Sequence, residues 1–302
     1  MENQSSPGQH GPGADAAGVP RPSGTRSAAD PGPVVGFVGA GSMGGPMVER
    51  LLAAGHTVHL FARRPAVAES LSALGATLEP SVAAVAARAD TLILCPFSQD
   101  QLAEITDGPD GALRHLPSSA VLVQHATIAP SAIRELTARG RERGVEVLDA
   151  PINGTSDATR AGRLAVLIGG DEAAADRVEP LLRTYAATVL RTGDVGSASA
   201  TKLINNLLFA AHVQTAIEAI NLGASLGLEG TGLLNALAAG VGNSYVVELL
   251  RTVGDVEVFT EKALPYMRKD TALIVRLAAD LGLDTGLLGE IVNTGPATLV
   301  AT

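Results

Sequence analysis

The stretch Val34-Val-Gly-Phe-Val-Gly-Ala-Gly-Ser-Met-Gly44 decides the fold of this chain. Its apolar residues 34–38 predict a short buried strand, and the apolar positions that follow between residues 47 and 52 predict a helix. Between them lie three glycines in G-x-G-x-x-G spacing: Gly39, Gly41 and Gly44. In such a loop the first glycine permits a tight turn, the second lets a pyrophosphate approach the backbone, and the third lets the helix pack on the strand. A chance cluster in a glycine-rich chain is the alternative, but the flanking strand and helix favour dinucleotide binding.

The composition predicts a globular protein that does not bind nucleic acid. Of the 302 residues, 46% are hydrophobic and 18% are charged, and the formal net charge of −9 comes with no basic run. An acidic chain of this kind does not suit nucleic acid or an anionic membrane as a partner. Cys95 is the only cysteine, which excludes a disulfide framework within the chain and fits a cytoplasmic location. The six histidines lack metal-ligand spacing, so no metal site is predicted.

The chain divides into a tail and two domains. Residues 1–33 are rich in Gly, Pro, Ser and Ala and contain no aromatic residue, which predicts a disordered tail. In residues 34–196, short apolar strands alternate with helices, which predicts an α/β, doubly wound Rossmann-type domain. Residues 197–302 show no clear strand and predict an all-α domain built around one long helix. The crevice between the two domains is the expected place for a substrate.

Two boundaries in the helical region are also predicted. The long helix is expected to span residues 198–226. The most apolar long run of the chain, residues 203–228, contains Asn, His, Gln and Glu side chains and is therefore interpreted as too polar to cross a membrane. A later helix is expected to span residues 265–281.

The end of the second strand predicts the choice of nucleotide. In this fold an acidic residue at that point binds the ribose 2′-hydroxyl of NAD, whereas arginine accommodates the 2′-phosphate of NADP. Here the strand is followed by Arg63 and Arg64, and the first acidic residue is Glu69, inside the next helix. Two cations at a helix start are unfavourably placed unless an anion binds there. The sequence therefore predicts NADP (NADPH) as the cofactor.

Three further stretches are candidates for a catalytic site. Asn153, Gly154 and Thr155 follow a strand and offer backbone N–H groups and short polar side chains to an anionic substrate group, although an ordinary Asn-Gly turn would look the same. The pair Lys269-Asp270 lies on a later helix and could equally be a surface pair. Neither stretch is decisive by itself.

The third stretch opens the long helix. Ser197 or Ser199 is expected to cap the helix, and Lys202 and Asn206, four residues apart, share one helix face. A lysine that is partly removed from water has a lowered pKa and can exchange a proton with a substrate oxygen near neutral pH. A lysine that extends along the surface to reach water is the alternative.

Together these motifs resemble the β-hydroxyacid dehydrogenase family, which includes 3-hydroxyisobutyrate dehydrogenases and tartronate semialdehyde reductases. The resemblance covers about residues 34–290 and rests on four ordered motifs, listed here: the glycine loop in residues 36–47, Asp149-Ala-Pro151, residues 193–206, and Lys269-Asp270. It implies a C-terminal domain like that of 6-phosphogluconate dehydrogenase. It also implies dimers or tetramers formed through the C-terminal helices.

The resemblance further implies roles for individual residues. Lys202 would be the catalytic acid/base and Asn206 would orient the substrate. The residues implied for the cofactor are Gly39, Gly41, Ser42, Met43, Gly44, Arg63, Arg64, Cys95, Pro96, Thr127 and Lys269. Those implied for the substrate are Asn153, Gly154, Thr155, Asn206 and Asp270.

Two departures from the family pattern predict an unusual substrate. Residues 152–155 read Ile-Asn-Gly-Thr where the family has Val-Ser-Gly-Gly, and residues 125–127 read His-Ala-Thr where the family has Ser-Thr near Thr127. One substrate hydroxyl contact is thereby lost and another becomes an amide contact. Because a polar site rejects ligands that leave it unpaired, the substrate is expected to differ from the common small hydroxy acids.

The main interpretation is an NADP-dependent oxidoreductase that transfers hydride between the nicotinamide and a small carbonyl or hydroxy-acid substrate. An imine reductase of the same fold is an alternative, although the ammonium of Lys202 would repel an iminium substrate. A non-catalytic NADP-binding scaffold is a further alternative, but its hallmark would be the loss of Lys202.

Overall fold

The computed structural model describes residues 32–299. The disorder predicted for residues 1–33 therefore falls almost entirely outside the described residues. Within them, a nine-stranded sheet is followed by a group of helices.

All nine strands found in residues 32–299 belong to one sheet. Its strands are β1 Val35–Val38, β2 Val58–Phe61, β3 Thr77–Leu78, β4 Thr91–Leu94, β5 Val121–Gln124, β6 Glu146–Asp149, β7 Ile152–Asn153, β8 Leu164–Gly169 and β9 Ala186–Gly193. Their order is β3-β2-β1-β4-β5-β6-β8-β7, and β9 pairs with β8. All pairs from β3 to β6 are parallel, as predicted, whereas β8 runs antiparallel to β6 and β7. The link from β6 to β8 holds only short elements, which suits an antiparallel return better than a crossover.

Helices cover both faces of the sheet, which confirms the doubly wound fold. The helices of this part are α1 Gly44–Ala53, α2 Pro65–Ala73, α3 Val82–Ala86, α4 Gln99–Thr106, α5 Ala112–His115, α6 Pro130–Arg141, α7 Ser156–Arg160 and α8 Glu172–Leu182. On one face Met47 and Leu51 of α1 pack with Val178 of α8. On the other face Val85 of α3 packs with Ile133 of α6. Each strand between these two cores is buried from both sides, which explains why β1 and β4 have no polar alternation.

The second part of the chain is helical in the described residues. Its helices are α9 Ser197–Ser225, α10 Gly230–Ala239, α11 Tyr245–Val253, α12 Val256–Asp280 and α13 Gly286–Thr294. α9 contacts each of the other four, and their apolar side chains form one core that includes Leu203, Leu207 and Phe259. The expected helix that begins at Pro265 was wrong, because α12 begins at Val256. The Asp255 side chain caps this earlier start by accepting from the backbone N–H groups of Glu257 and Val258. The Phe259 side chain in the first turn is buried, and Pro265 is tolerated inside the helix.

The membrane interpretation of the long helix also changes. By length and hydropathy alone, α9 is apolar enough to span a membrane, so its polar residues do not exclude this. However, 44% of its most apolar window is buried inside the fold, and a central helix of a soluble protein meets the same criterion. The helix is therefore weak evidence for a membrane.

Candidate active site

Two of the three glycines in the loop after β1 have no room for a side chain. Gly39 has a φ of +101°, and a Cβ there would lie 2.5 Å from the carbonyl oxygen of Cys95. A Cβ on Gly44 would lie 2.2 Å from the carbonyl oxygen of Gly39. A Cβ on Gly41, by contrast, would meet nothing within 4 Å. Gly39 and Gly44 are thus required by the loop itself, whereas Gly41 leaves open space beside the backbone, as a pyrophosphate would need.

A cavity of about 770 Å³ opens beside this loop. All the residues predicted to bind the cofactor except Thr127 and Lys269 line it: Gly39, Gly41, Ser42, Met43, Gly44, Arg63, Arg64, Cys95 and Pro96. Phe97 and Tyr266 also line it, and their rings meet edge to face with centroids 5.7 Å apart. The cavity therefore reaches from the glycine loop to α12.

The two arginines at the end of β2 lie on the wall of this cavity. Arg63 and Arg64 are exposed, and α2 begins directly after them with Pro65. In residues 32–299, neither guanidinium forms an ion pair with a carboxylate. Both cations are therefore available to an anion in the cavity.

Lys202 lies near the start of α9, where the helix passes the sheet. Its Nζ donates a hydrogen bond to Oδ1 of Asn153 at 2.6 Å. Burial lowers the pKa of Lys202 to about 8, while the nearby Asp270 carboxylate raises this pKa and Lys269 lowers it. An ammonium with this pKa can both donate and regain a proton near neutral pH.

Three other predicted residues join Lys202 across the contact between α9 and α12. Nδ2 of Asn206 donates to Oδ2 of Asp270 at 2.6 Å, and Asp270 is only 9% exposed. Nζ of Lys269 lies 3.2 Å from the other Asp270 oxygen and donates to the Phe97 carbonyl oxygen at 3.0 Å. The pair Lys269-Asp270 is therefore not a solvated surface pair. Because Phe97 lines the cavity, Lys269 connects this cluster to the predicted cofactor site.

The segment after β6 contributes unequally to the site. Asn153 belongs to β7 and faces Lys202, and Nδ2 of Asn205 also approaches its Oδ1, at 3.4 Å. Gly154 has a φ of +136°, and a Cβ there would lie 2.6 Å from the Leu164 side chain. The hydroxyl oxygen of Thr155 accepts from the backbone N–H of Ala158 and caps α7. Of the three, only Asn153 presents its side chain to Lys202.

His125 takes no part in the surface of this site. It is 2% exposed, and its Nδ1 lies 2.5 Å from the carbonyl oxygen of Ala150, while its Nε2 lies 2.9 Å from the hydroxyl of Tyr185. Because a carbonyl only accepts, Nδ1 carries the hydrogen and Nε2 accepts from Tyr185. Burial lowers the pKa of His125 to about 4, so the ring is neutral. The neighbouring Thr127 is partly exposed and follows the carboxyl end of β5.

Cys95 is a packing residue. It is partly buried against the core beneath the glycine loop, and its backbone N–H donates to the carbonyl oxygen of Val38. Burial raises the pKa of its thiol to about 12. Since the thiolate is the nucleophile, a thiol with this pKa is inert at neutral pH.

The start of α9 differs from the prediction. Gly196 is the N-cap, and neither Ser197 nor Ser199 caps the helix with its side chain. Instead Asp149, at the end of β6, accepts from both the backbone N–H of Ser199 at 2.7 Å and its hydroxyl at 2.6 Å. This contact was not predicted, because Asp149 lies fifty residues before Ser199 and no local sequence signal links the two.

Two family models together cover nearly all the described residues. Residues 34–193 match the NAD binding domain of 6-phosphogluconate dehydrogenase. Residues 196–297 match the NAD-binding domain of NADP-dependent 3-hydroxyisobutyrate dehydrogenase.

Individual relatives agree with these models. The NAD-dependent L-serine dehydrogenase of Pseudomonas aeruginosa is 32% identical over 71% of this chain and 72% of its own length. The structure of Mycobacterium tuberculosis 3-hydroxyisobutyrate dehydrogenase with L-serine has a TM-score of 0.77 and 27% identity, and the match covers 87% of this chain and 92% of that one. The structure of Psf3 with NADP+ and 2-OPP has a TM-score of 0.74 and 26% identity, with 86% and 92% covered. Imine reductases such as that of Streptomyces aurantiacus, at 22% identity, a TM-score of 0.62, and 86% and 92% coverage, share the fold.

Proposed function

Because the chain belongs to the β-hydroxyacid dehydrogenase family of NAD(P)-dependent oxidoreductases, we propose that it uses NADP to interconvert a small carbonyl compound and its hydroxy acid or alcohol. The observation that carries the proposal is the cluster around Lys202, which joins an ammonium of lowered pKa to Asn153 and, through α12, to the nucleotide cavity. When bound, the reduced nicotinamide supplies the hydride that reaches the carbonyl carbon.

In the reduction direction Lys202 supplies the proton. Its Nζ donates to the carbonyl oxygen as the carbon gains the hydride, which leaves a neutral amine and a hydroxyl product. In the oxidation direction the neutral amine accepts the hydroxyl proton. Asn206, fixed by its bond to Asp270, can offer its second amide hydrogen to the same oxygen. Lys202 and Asn206 therefore hold the reacting oxygen, and Lys202 moves its proton.

The choice of NADP rests on Arg63 and Arg64. One relative is named as NAD-dependent and another was solved with NADP+, so family membership does not decide the nucleotide. Two exposed guanidiniums on the cavity wall, with no carboxylate paired to them in residues 32–299, favour a ligand that carries a 2′-phosphate.

Asn153 is the proposed contact for the substrate. An ammonium can only donate, so the Asn153 atom that faces Lys202 must be the amide oxygen. Nδ2 of Asn153 then points away from Lys202 and can donate to an acceptor oxygen of the substrate. Gly154, Thr155 and Asp270 complete the substrate side of the proposed site through backbone N–H groups and the contact with Asn206.

A turnover assay with a matched control tests the proposal. Purified protein is given NADPH or NADP+ with a panel of carbonyl compounds and hydroxy acids, including 3-hydroxyisobutyrate and L-serine, and the reduced nicotinamide is followed by absorbance. Lys202→Ala should lose at least about 100-fold in kcat, because it removes the general acid. Thr201→Ala, an exposed neighbour on α9, should retain activity. Equal turnover by both variants would remove Lys202 from the mechanism.

The two alternatives make different predictions in the same assay. An imine reductase would oxidise NADPH with cyclic imines and leave every carbonyl compound untouched. Its only structural support is the shared fold, and the ammonium of Lys202 opposes an iminium substrate. A scaffold would bind NADPH and turn over nothing.

We also propose that the chain acts as a homodimer or homotetramer in the cytoplasm. Its C-terminal helices expose large apolar side chains, among them Ile204, Leu208 and Leu222 of α9, at 59%, 42% and 61%. Such a row on a long helix is typical of a subunit interface. Light scattering should give at least twice the monomer mass of 30.6 kDa, and a monomer would exclude this assembly.

A further inference from the structure

The start of α9 is held by a residue far away in the sequence. Gly196 has a φ of +91° and no side chain that could accept the free N–H groups of the first turn. The Ser199 N–H and hydroxyl both bond instead to Asp149, fifty residues earlier. Asp149 and Ser199 are each fully buried. Asp149 therefore does for α9 what an N-cap side chain does for an ordinary helix, but from the central sheet.

The contact between Asp149 and Ser199 lies next to the contact of Lys202, because the same two segments form both. From Asp149 the chain continues to Asn153, and from Ser199 the helix continues to Lys202. Asp149 and Ser199 are joined at 2.7 and 2.6 Å, and Asn153 and Lys202 are joined at 2.6 Å. The segment 149–153 is thus tied at both of its ends to the first two turns of α9.

A third contact attaches the same segment to buried side chains of the core. The carbonyl oxygen of Ala150 is bonded to Nδ1 of His125, whose Nε2 is bonded to Tyr185. The backbone directly after Asp149 is therefore fixed to the core. A fixed support can transmit its position to the helix, whereas a mobile loop could not.

We propose that Asp149, through Ser199, is a positioning residue that fixes where Lys202 of α9 lies relative to Asn153. The proposal rests on the proposed function, in which Lys202 exchanges a proton with the substrate. Asp149 does not touch the substrate, and it acts through hydrogen bonds rather than through its charge. Without it, the first turn of α9 loses its attachment to β6, and the ammonium moves away from Asn153 into water.

A series of three variants separates the hydrogen bonds from the charge. Asp149→Asn keeps both contacts, because its amide oxygen can accept from the Ser199 N–H and its amide nitrogen can donate to the Ser199 hydroxyl. Ser199→Ala removes one contact and Asp149→Ala removes both. We expect kcat near the wild-type value for Asp149→Asn, a loss of about tenfold for Ser199→Ala, and a loss of about 100-fold for Asp149→Ala. The Kd for NADPH should stay within about twofold, since the cavity beside the glycine loop is formed elsewhere.

Labelling of Lys202 provides a readout that needs no turnover. The rate at which acetic anhydride modifies Lys202 is measured by mass spectrometry as a function of pH, which gives the pKa of the amine. Burial holds this pKa at about 8, and Asp270 and Lys269 are the charged groups that act on it. In Asp149→Ala the pKa should rise towards the ordinary value of 10.5 as the ammonium becomes solvated. Ser199→Ala should give an intermediate rise, and this variant keeps the buried carboxylate paired with a backbone N–H if Asp149→Ala does not fold.

Each outcome decides the proposal. A Lys202 pKa that stays near 8 in Ser199→Ala and Asp149→Ala would overturn it, whatever the activity. An Asp149→Asn variant as impaired as Asp149→Ala would also overturn it, because charge rather than hydrogen bonding would then be responsible. If the wild-type protein turns over no substrate, the proposed function fails, and the labelling series still tests the positioning of Lys202.

Discussion

The buried His125 should make the fold sensitive to acid. In the folded protein burial lowers its pKa from 6.5 to about 4, and its ring is neutral between Ala150 and Tyr185. Between these two pKa values the unfolded chain binds a proton that the folded chain does not. The free energy of unfolding is therefore intact above pH 6.5, falls as the pH drops below 6.5, and reaches its full loss near pH 4.

The magnitude follows from the difference between the two pKa values. At about 1.4 kcal/mol per pKa unit, His125 alone should cost about 2 kcal/mol of stability at pH 5 and about 3 kcal/mol at pH 4. His125→Asn removes the titrating ring, and its amide can still donate to the Ala150 carbonyl. Its stability at pH 7 should be lower, since the bond to Tyr185 is lost, but the decline from pH 7 to pH 5 should be smaller by about 2 kcal/mol.

Urea unfolding at pH 7, 6 and 5 measures this difference. The exposed His212→Asn serves as the control, because its ring is accessible to solvent and its replacement should leave the wild-type decline unchanged. If His125→Asn and the wild type lose stability in parallel over this range, the ring is not held neutral, and the described role of burial is wrong.

Two further predictions concern the site itself. Asp270→Asn should lower the pKa of Lys202 and shift the alkaline fall of the reduction rate to lower pH, and Lys269→Met should shift this fall to higher pH. The two shifts differ in sign because the two charges act on the ammonium with opposite sign, and pH–rate profiles of both variants measure them. Gly41→Ala should leave the thermal midpoint unchanged but weaken NADPH at least about tenfold by calorimetry, whereas Gly44→Ala should lower the midpoint, because only its Cβ would strike the backbone.

Sequence reasoning reached the elements whose signals are local. The strand, glycines and helix of residues 34–53 lie side by side in the chain, so their spacing predicts a dinucleotide-binding loop. The alternation of short strands and helices up to residue 196 predicts the doubly wound fold. The pair Lys202 and Asn206 could be placed on one face of α9 for the same reason.

Two of the three features that were not predicted from the sequence depend on distant partners. Capping by Ser197 or Ser199 was a reasonable local prediction, but the acceptor is Asp149, which only the fold brings to the helix. His125 was noted only as a departure from the family pattern, and its burial in the core beside Tyr185, sixty residues later, was not predicted. The third miss was local: the helix was expected to begin at Pro265, whereas the Asp255 side chain caps α12 at Val256.

The relative affinity of the nucleotide cavity for NADPH and NADH tests the central claim most directly. Wild-type protein and the double variant Arg63→Ala/Arg64→Ala are titrated with NADPH and with NADH, and the fluorescence of the reduced nicotinamide is followed. We expect the wild type to bind NADPH at least about tenfold more tightly than NADH, since charge-assisted bonds to phosphate contribute about 1.5–3 kcal/mol each. We expect the variant to lose this preference while its affinity for NADH stays unchanged. Tighter binding of NADH, or equal weakening of both nucleotides in the variant, would contradict the account.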